Sequence, residues 1–440
     1  MEDVASTLAP LVRRLLGGTL PVRLEAWDGS AVDPDPGADG DRPPVTVLVR
    51  SPDALRRILY APGELGLARA HIAGDIDIEG DVFALLDVRR HLGEAAEHVV
   101  VGPSARDLAP MVGTLRRLGA LGRPLPPPEE EARSRGRLHS RRRDSSAVRH
   151  HYDVGNDFYR LVLGPSLTYS CAYWADGVDD LASAQAAKHE LVCRKLGLEP
   201  GMRVLDIGCG WGSFVLHAAR HHGARALGVT LSPEQAAMAR QRVAEAGLED
   251  RVEIRVQDYR DLDDEPFPAV ASVGMFEHVG ADQARTYART VARLVAPGGR
   301  LLNHAISRPN PDDRAGVDPR SFIGRYVFPD AALHEVGQVV STLQSAGLEV
   351  RDVESLREHY ARTLRAWVDN LQDGWEQAQR LAGPGRARTW RLYMAGSAVG
   401  FEEGRISIHQ VLAVRPHADG RSDFPATRTW LASDHPVTGS

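Results

Sequence analysis

The sequence contains few cysteines and no long apolar segment. Its 440 residues include three cysteines, none of them in a Cys-x-x-Cys pair, which excludes a disulfide framework and paired-cysteine zinc sites. No apolar run reaches the about 18 residues that can cross a membrane. The first residues lack the basic start and apolar core of a signal peptide. We therefore expect a protein of the reducing cytoplasm.

The sequence also lacks an overall positive charge. Its formal net charge is −6, so a general attraction to nucleic acid or anionic lipid is not expected, and we predict no nucleic-acid partner. Residues 132–151 differ, because they carry seven arginines and one acid, Asp144. This run fits a solvated linker, which is the commoner structure, or a patch for the phosphate groups of lipid headgroups or nucleic acid.

The clearest domain boundary lies just before this run. Residues 123–136 combine prolines, then acids, then arginines, a composition that cannot build a core. We predict a small N-terminal α+β domain over residues 1–122, a linker over 123–145, and a catalytic domain over 146–440.

Strand and helix patterns alternate in the C-terminal part. The segments "MRVLDIG", "ARALGVT" and "VEIRVQD" read as buried strands, and "SFVLHAARHHG" and "SPEQAAMARQRVAEAGL" read as the helices between them. The segment "ADQARTYARTVARLVAPGG" reads as a helix closed by Pro-Gly-Gly. This alternation predicts an α/β fold with a doubly wound, mostly parallel sheet.

The strongest local motif is "VLDIGCGWGSF", in which a strand runs through Asp206 into Gly208, Gly210 and Gly212 and then a helix. The glycines allow a sharp turn and a close approach to a ligand. The spacing is neither the GxGxxG of dinucleotide binders nor a P-loop. An acid followed by GxGxG suits S-adenosylmethionine, because the carboxylate can meet the cationic amino-acid end of that cofactor.

The following strands offer further cofactor contacts. Many nucleotide-binding sheets place an acid after the second strand to hold the ribose hydroxyls, whereas this chain has Thr230, with Gln235 five residues later. A hydroxyl and an amide can also bind hydroxyl groups. After the third strand, Asp258 can meet an adenine amino group and Tyr259 can stack on the ring.

Seven motifs in order carry a family resemblance. They are "HHYDVGNDFYRLVLGPSLTYSCAYW", "VLDIGCGWGSF", "GVTLSPEQ", "QDYRDL", "SVGMFEHVG", "LNHAI" and "GRYVFPD". Together they resemble the cyclopropane-fatty-acyl-phospholipid synthases and the related mycolic acid methyltransferases, over the whole second domain. The N-terminal domain is more loosely similar to the lipid-associated domain of bacterial members.

The resemblance implies a class I methyltransferase (Rossmann-like) fold and transfer of the methyl group of S-adenosylmethionine to a cis double bond of a phospholipid acyl chain. The resemblance implies cofactor contacts at Tyr169, Ser170, Gly208, Gly210, Thr230, Leu231, Gln235 and Tyr259. Four further residues complete the predicted cofactor set: Asp206, Gly212, Gln257 and Asp258.

The resemblance further implies a bicarbonate ion that deprotonates a carbocation on the chain. Its predicted ligands are Cys171, Glu277, His304, the backbone at Ile306, and Tyr360. Such a cluster has no metal-like spacing, and we predict no metal. Taken singly, each side chain is better explained by packing, as a buried small thiol, a helix cap, a core histidine and a packed tyrosine. Taken together within seven ordered motifs, they favour the functional interpretation.

The expected product is a cyclopropane fatty acyl chain, and the alternative is a 10-methylene branch that a separate reductase could convert to a methyl branch. The resemblance implies peripheral contact with the inner face of the cell membrane and allows a homodimer. A nucleic-acid or protein methyltransferase is a more distant alternative, disfavoured because the fourth strand ends in "GMFEHVG" and not in an Asn/Asp-Pro-Pro-aromatic loop. A non-enzymatic lipid-binding protein is disfavoured by the glycine turn and the polar cluster.

Overall fold

The computed structural model describes residues 3–15, 18–37, 45–91, 113–132, 154–312 and 316–428. The chain forms two compact units. The first comprises Met1–Arg133, Asp318–Val327 and Gly374–Val399, and the second comprises the remainder. Two segments that the sequence assigned to the C-terminal domain thus belong to the first unit. Residues 133–151, which carry all seven arginines of the run, lie outside the described residues.

The first unit is built on a four-stranded sheet, in line with the expected α+β domain. Its strands are β1 (Arg23–Ala26), β2 (Ala31–Val32), β3 (Thr46–Val49) and β4 (Ile76–Glu79), in the order β2-β1-β3-β4. Its N-terminal helices are α1 (Val4–Leu15), α2 (Asp53–Tyr60), α3 (Glu64–Ala73) and α4 (Val82–His91). Alternate strand residues such as Leu24 and Ile78 enter a core with Leu8 of α1, as expected for a half-buried sheet.

The end of the predicted linker is fixed to this unit. Glu131 is buried and accepts hydrogen bonds from Nε and Nη2 of Arg69, both at 2.8 Å, and from Oη of Tyr326 at 3.1 Å. Residues 123–132 therefore belong to a folded unit, because a bidentate ion pair to a buried carboxylate holds the chain in one position.

The second unit contains the large sheet. Its strands are β5 (Arg203–Ile207), β6 (Arg225–Thr230), β7 (Val252–Val256), β8 (Phe267–Val273), β9 (Val295–Arg308), β10 (His334–Glu335), β11 (Glu349–Ser355) and β12 (Ser407–Val414). The order is β11-β12-β9-β8-β5-β6-β7, with β10 paired to the end of β9. Strands β5 to β9 are parallel, and β12 and β11 add antiparallel pairs. The predicted doubly wound α/β sheet is confirmed.

Helices cover both faces of this sheet, and apolar cores lie on each side of it. They are α5 (Asn156–Leu163), α6 (Leu181–Leu196), α7 (Ser213–His222), α8 (Pro233–Glu245) and α9 (Ala284–Leu294). The later helices are α10 (Phe322–Tyr326), α11 (Val336–Ser345), α12 (Arg357–Asp373), α13 (Trp375–Ala382) and α14 (Pro384–Glu402), of which α10, α13 and most of α14 lie in the first unit.

Local signals set the helix starts, and one predicted helix end is wrong. Ser232 caps α8 by accepting from the N–H of Gln235, with proline at the first helical position, as "SPEQ" indicates. Helix α9, however, ends at Leu294, and the Pro-Gly-Gly that follows belongs to β9. The sheet tolerates Pro297 there because the pairing of β8 and β9 shifts register between Phe267 and Ala269.

The chain order places a crevice at one edge of the sheet. Strand β5 has β6 on one side and β8 on the other. The chain leaves β5 toward β6 but leaves β8 toward β9, so the connections from β5 and β8 run in opposite directions along the sheet. The carboxyl ends of the parallel strands β5, β6 and β8 lie next to each other, and ligands of doubly wound sheets bind at such a switch point.

In the described part of the chain, no helix combines the length and apolar character needed to cross a bilayer.

Candidate active site

A cavity lies at the carboxyl ends of β5, β6 and β8. Eleven of the twelve predicted cofactor residues line it: Tyr169, Ser170, Asp206, Gly208, Gly210, Thr230, Leu231, Gln235, Gln257, Asp258 and Tyr259. The twelfth, Gly212, does not line it. The structure thus brings these residues together, and their part in holding a cofactor remains a prediction.

In the turn after β5, glycine is required at each of three positions for a different structural reason. All three have positive φ, +82° at Gly208, +53° at Gly210 and +80° at Gly212. A Cβ at Gly208 would lie 3.3 Å from the side chain of Met275, and one at Gly212 would lie 3.2 Å from Cβ of Ala239. At Gly210 a Cβ would meet nothing within 4 Å. Gly212 therefore serves helix packing, and Gly210 leaves the cavity wall open.

A buried acid and a buried lysine adjoin the turn. Burial raises the pKa of Asp206 to about 7, and the nearby charge of Lys188 opposes this rise. Burial lowers the pKa of Lys188 to about 8. The Nζ of Lys188 donates to Oγ of Ser170 at 2.9 Å, and both residues line the cavity. A cation and an anion at this end of the cavity suit a zwitterionic amino-acid group.

The sequence analysis missed Lys188, although a signal was present. Lys188 lies on α6 four residues after Ala184 and four before Val192, both fully buried. That position is on the apolar stripe of the helix, where a lysine is rarely found without a functional or pairing role.

The residues after β6 and β7 form local hydrogen bonds. Oγ1 of Thr230 donates to Oε1 of Gln235 at 2.9 Å. The carboxylate of Asp258, expected to meet an adenine amino group, accepts from Nη2 of Arg260 at 2.6 Å and from the N–H of Arg260 at 2.9 Å. The ring of Tyr259 packs edge-on against Tyr287 with centroids 5.9 Å apart. A ligand at Asp258 therefore competes with, or adds to, the arginine.

The predicted anion ligands lie at the neighbouring strand ends. Glu277 follows β8 and is buried, and its Oε1 accepts from the N–H of Ile306 at 2.7 Å. Its Oε2 has no hydrogen-bond partner within the described ranges. Burial raises the pKa of this carboxyl to about 7. The backbone N–H of Ile306, expected to meet the ion, is used by Glu277 in this structure.

His304 is the second buried group with an open position. The amide nitrogen of Gln410 donates to Nδ1 of His304 at 3.1 Å, which places the ring proton on Nε2. This Nε2 is buried and has no partner in the part of the chain that the structure describes. Burial lowers the pKa of His304, so the ring is neutral and Nε2–H is a donor. Its side chain lies on the same face of β9 as that of Ile306.

Cys171 and Tyr360 join this region through one short path of contacts. The Sγ of Cys171 lies 3.7 Å from the carbonyl oxygen of Leu356, which also accepts from the N–H of Tyr360 at 3.0 Å. The N–H of Leu356 donates to Ile408, and Ile408 pairs with Ile306 on β9. The five predicted residues thus surround the adjoining ends of β9 and β12.

The thiol itself is not a nucleophile in this setting. Cys171 is fully buried, and its Sγ also lies 3.2 Å from the carbonyl oxygen of Ala172. Burial raises the pKa of the thiol, so the thiolate needed for attack is not populated at neutral pH.

A series of aromatic contacts connects the cavity with Tyr360 of this cluster. Tyr169 lines the cavity and packs on Trp367 with ring centroids 5.3 Å apart. Trp367 in turn contacts Tyr360 at 6.0 Å. Tyr173 stacks on His359 at 4.8 Å. These rings provide apolar walls with negative faces, the surroundings that favour a cation.

Asn303 also has a structural explanation. Its Oδ1 accepts from Oη of Tyr287 at 2.7 Å, so a polar residue in the buried strand is satisfied by the tyrosine of α9. His278 lines the cavity, and burial lowers its pKa to about 4.

The buried open atoms fit a small oxyanion. Bicarbonate has oxygen acceptors for a donor such as Nε2–H of His304 and a hydroxyl donor for an acceptor such as Oε2 of Glu277. The fit rests on these two partnerless buried atoms, because a buried polar atom without a partner costs stability unless a ligand satisfies it.

Comparison with known proteins gives the family. The model of the mycolic acid cyclopropane synthetase family matches residues 139–411. A probable fatty acid methyltransferase of Mycobacterium tuberculosis is 41% identical over 423 residues, covering 94% of this chain and 95% of that protein. The cyclopropane-fatty-acyl-phospholipid synthase of Escherichia coli K12 is 35% identical over 378 residues, covering 86% and 90%.

A solved structure agrees with these relatives. The crystal structure of a mycolic acid cyclopropane synthase in complex with SAH and CTAB superimposes with a TM-score of 0.58 and 33% identity, covering 61% of this chain and 97% of that chain. The chain is a methyltransferase enzyme with a class I fold and belongs to the mycolic acid cyclopropane synthetase family.

Proposed function

We propose that this enzyme transfers the methyl carbon of S-adenosylmethionine to the cis double bond of an unsaturated acyl chain in a membrane phospholipid. The observation that carries the proposal is the pair of partnerless buried atoms, Oε2 of Glu277 and Nε2 of His304, near an aromatic-walled cavity. The names of the relatives, a fatty acid methyltransferase and a phospholipid synthase, support a lipid substrate.

S-adenosylmethionine supplies an activated methyl group when bound. Asp206 and Lys188 offer opposite charges to its amino-acid end, and the open wall at Gly210 allows a close backbone approach. Because an isolated alkene is a weak nucleophile, these contacts must hold the methyl group in line with the double bond at near-attack distance.

Methyl transfer leaves a carbocation on the acyl chain, which water would trap. The site must therefore exclude water, and the ring faces of Tyr169, Trp367 and Tyr360 can stabilise the charge without offering a nucleophile. A carboxylate in direct contact with the cation would risk forming an ester. Glu277 would avoid this because its Oε1 is held by the N–H of Ile306 and its Oε2 would be held by the bicarbonate.

Bound bicarbonate would supply the base that takes up the proton. Within the chain, His304 donates from Nε2, and Gln410 keeps the ring in that tautomer. Glu277 accepts through Oε2. His304 lies within β9 and is held by Gln410, and Glu277 lies in the turn after β8 and is held by the N–H of Ile306, so the positions of donor and acceptor are fixed before the reaction.

The proton that leaves decides the product. Loss from the transferred methyl carbon closes a cyclopropane ring, which is the product we propose. A hydride shift before that loss gives a methylene branch instead, and the fatty acid methyltransferase name of the 41% identical relative favours this second candidate. A methyl branch would then require a separate reductase.

The test uses the purified full chain, vesicles of oleoyl phospholipid, bicarbonate and S-adenosylmethionine labelled with ¹³C in the methyl group. We expect one labelled carbon per modified chain by mass spectrometry. Proton NMR of the extracted lipid distinguishes ring protons from exocyclic methylene protons. Lipid without label, from protein that binds the cofactor, would overturn the proposed substrate.

Two variants and two other acceptors complete the test. Glu277→Gln should lower turnover by about 10²-fold or more, whereas the exposed Glu349→Gln should retain it. Duplex DNA and a protein mixture replace the vesicles in parallel reactions. Label in either of them, and none in lipid, would support the nucleic-acid or protein alternative.

We propose that the enzyme is a cytoplasmic protein that acts at the inner face of the cell membrane, through peripheral contact. An acyl chain must leave the bilayer to bring its mid-chain double bond to the cavity, which requires reversible surface contact. A homodimer is compatible with this arrangement.

A further inference from the structure

A cluster of metal-ligating side chains lies on two helices of the second unit. Cys193 is on α6, and His217 and His222 are on α7. The thiol sulfur and one ring nitrogen of each histidine lie within 4.8 Å of one another. Cys193 is fully buried and the histidines are partly buried. None of the three lines the cavity described above.

Glu190 adds a carboxylate to the cluster. Its Oε2 lies 2.9 Å from Nε2 of His222 and 3.5 Å from Nε2 of His217. Two nitrogen or oxygen ligands of one tetrahedral zinc ion, with bonds of about 2.0–2.1 Å, lie about 3.3 Å apart. The other carboxylate oxygen, Oε1, accepts from Nε of Arg194 at 2.7 Å, which fixes the orientation of the group.

We propose that Cys193, His217 and His222, with Glu190, form a binding site for a divalent transition-metal ion, with zinc as the fitting ion. One thiolate, two imidazoles and one carboxylate match the ligands that zinc takes in proteins. Magnesium and calcium prefer all-oxygen sites, so this donor set selects against them. Where a histidine binds through its other nitrogen, Glu190 acts as the carboxylate that orients the ring.

The ion would join the two helices that form one wall of the cofactor cavity. Lys188 and His189 of α6 line that cavity, and so do Ser213 and Phe214 at the start of α7. Holding Cys193 and His222 together near the C-terminal ends of these helices braces this wall. The inference does not depend on the lipid substrate, because the site lies outside the cavity.

Cobalt binding tests the site directly. The purified full chain, stripped of metal with a chelator, is titrated with Co²⁺ alone. We expect one equivalent to give the visible bands of a tetrahedral cobalt site and a thiolate-to-cobalt charge-transfer band in the near ultraviolet. Zn²⁺ should displace it and raise the thermal midpoint by mass action. A folded natural protein that gives neither band would overturn the proposal and leave a hydrogen-bonded cluster.

Variants assign the ligands. Cys193→Ser should remove the charge-transfer band, and Glu190→Gln should weaken cobalt affinity roughly 10–100-fold. His222→Gln, at a partly exposed position, keeps the test valid if Cys193→Ser does not fold. Matched controls are Cys209→Ser and His221→Gln, whose side chains lie outside the cluster and should keep both bands. Bands that persist in His222→Gln, or that disappear in His221→Gln, would contradict the assignment.

Discussion

At the scale of single residues, Lys188 is the clearest test of the cofactor site. Its ammonium group is buried in the cavity wall beside Ser170 and near Asp206, where it can meet the carboxylate of the cofactor. We expect Lys188→Met to weaken binding of S-adenosylhomocysteine roughly 10–100-fold, because a hydrogen bond to a charged group contributes about 1.5–3 kcal/mol. Calorimetric titration measures this.

The control for this variant is Lys188→Arg, which keeps the charge but has a different shape. An affinity restored in part by arginine indicates that charge matters, whereas equal losses in both variants indicate packing alone. Unchanged affinity in Lys188→Met would exclude the lysine from the cofactor site.

The raised pKa of Glu277 predicts how the free energy of unfolding changes with pH. Burial raises its pKa in the folded chain to about 7 from an ordinary 4.5. Between pH 4.5 and pH 7 the carboxyl group is ionised in the unfolded chain but protonated in the folded chain. The favourable contribution of Glu277 to the free energy of unfolding is therefore complete below pH 4.5 and is lost as pH rises to 7. The loss amounts to about 3 kcal/mol, from 1.36 kcal/mol for each pKa unit.

Glu277→Gln cannot ionise and removes this dependence. Urea unfolding at pH 4.5 and pH 8 should therefore show the variant gaining on the natural protein by up to about 3 kcal/mol at the higher pH. The exposed Glu349→Gln provides the reference and should run parallel to the natural protein. A constant difference between Glu277→Gln and the natural protein at both pH values would mean that the burial of Glu277 is not coupled to its charge.

At the scale of elements, substitutions in the glycine turn after β5 can distinguish backbone strain from loss of cofactor contact. Gly210 (φ +53°) and Gly247 (φ +64°) both have left-handed backbone with nothing within 4 Å of a built Cβ, but only Gly210 lines the cavity. Alanine at either position should cost roughly 1–2 kcal/mol of stability. We expect Gly210→Ala alone to weaken S-adenosylhomocysteine binding by about tenfold or more.

The matched pair decides the cause. Thermal unfolding measures the strain in both variants, and calorimetry measures the affinity. Equal affinity in Gly210→Ala and Gly247→Ala would mean that the turn does not approach the cofactor.

The elements also separate what local sequence predicts from what it does not. The strand that leads into Asp206 and the Ser-Pro start of α8 follow from apolar patterning and capping, both of which are local. The path of Pro297 into β9 depends on a register shift against β8, which is a contact distant in sequence. For the same reason, residues 318–327 and 374–399 could not be assigned to the first unit from the sequence.

The candidate site divides in the same way. The motifs predicted Thr230 and Gln235 as contacts for the hydroxyl groups of a cofactor. In the structure both line the cavity and form a hydrogen bond to each other, which the motifs did not predict. Lys188 was missed because its helix precedes the recognised glycine motif and carries no motif of its own. The pairing of Asp258 with Arg260 was missed because it depends on a side-chain conformation and not on residue type.

At the scale of the whole molecule, the charge distribution predicts how the protein meets a membrane. The net charge of −6 opposes anionic lipid, whereas residues 133–151 concentrate seven arginines. Each basic residue near an anionic surface contributes about 1 kcal/mol. We therefore expect binding to vesicles that contain phosphatidylglycerol, little binding to purely zwitterionic vesicles, and a decrease as salt rises above about 0.15 M.

The triple variant Arg141→Ala, Arg142→Ala and Arg143→Ala tests the source of this binding, at positions outside the described residues. Loss of three basic groups should reduce partitioning onto anionic vesicles roughly 100-fold in a sedimentation assay, from about 3 kcal/mol. The control replaces the exposed Arg320, Arg380 and Arg421 by alanine, so that the net charge changes equally.

If both triple variants lose binding to the same extent, overall charge and not the arginine run governs association. If neither does, the contact is apolar. A loss confined to the first variant, with labelled turnover on detergent-dispersed lipid unchanged, would place the run at the membrane surface and apart from the chemistry.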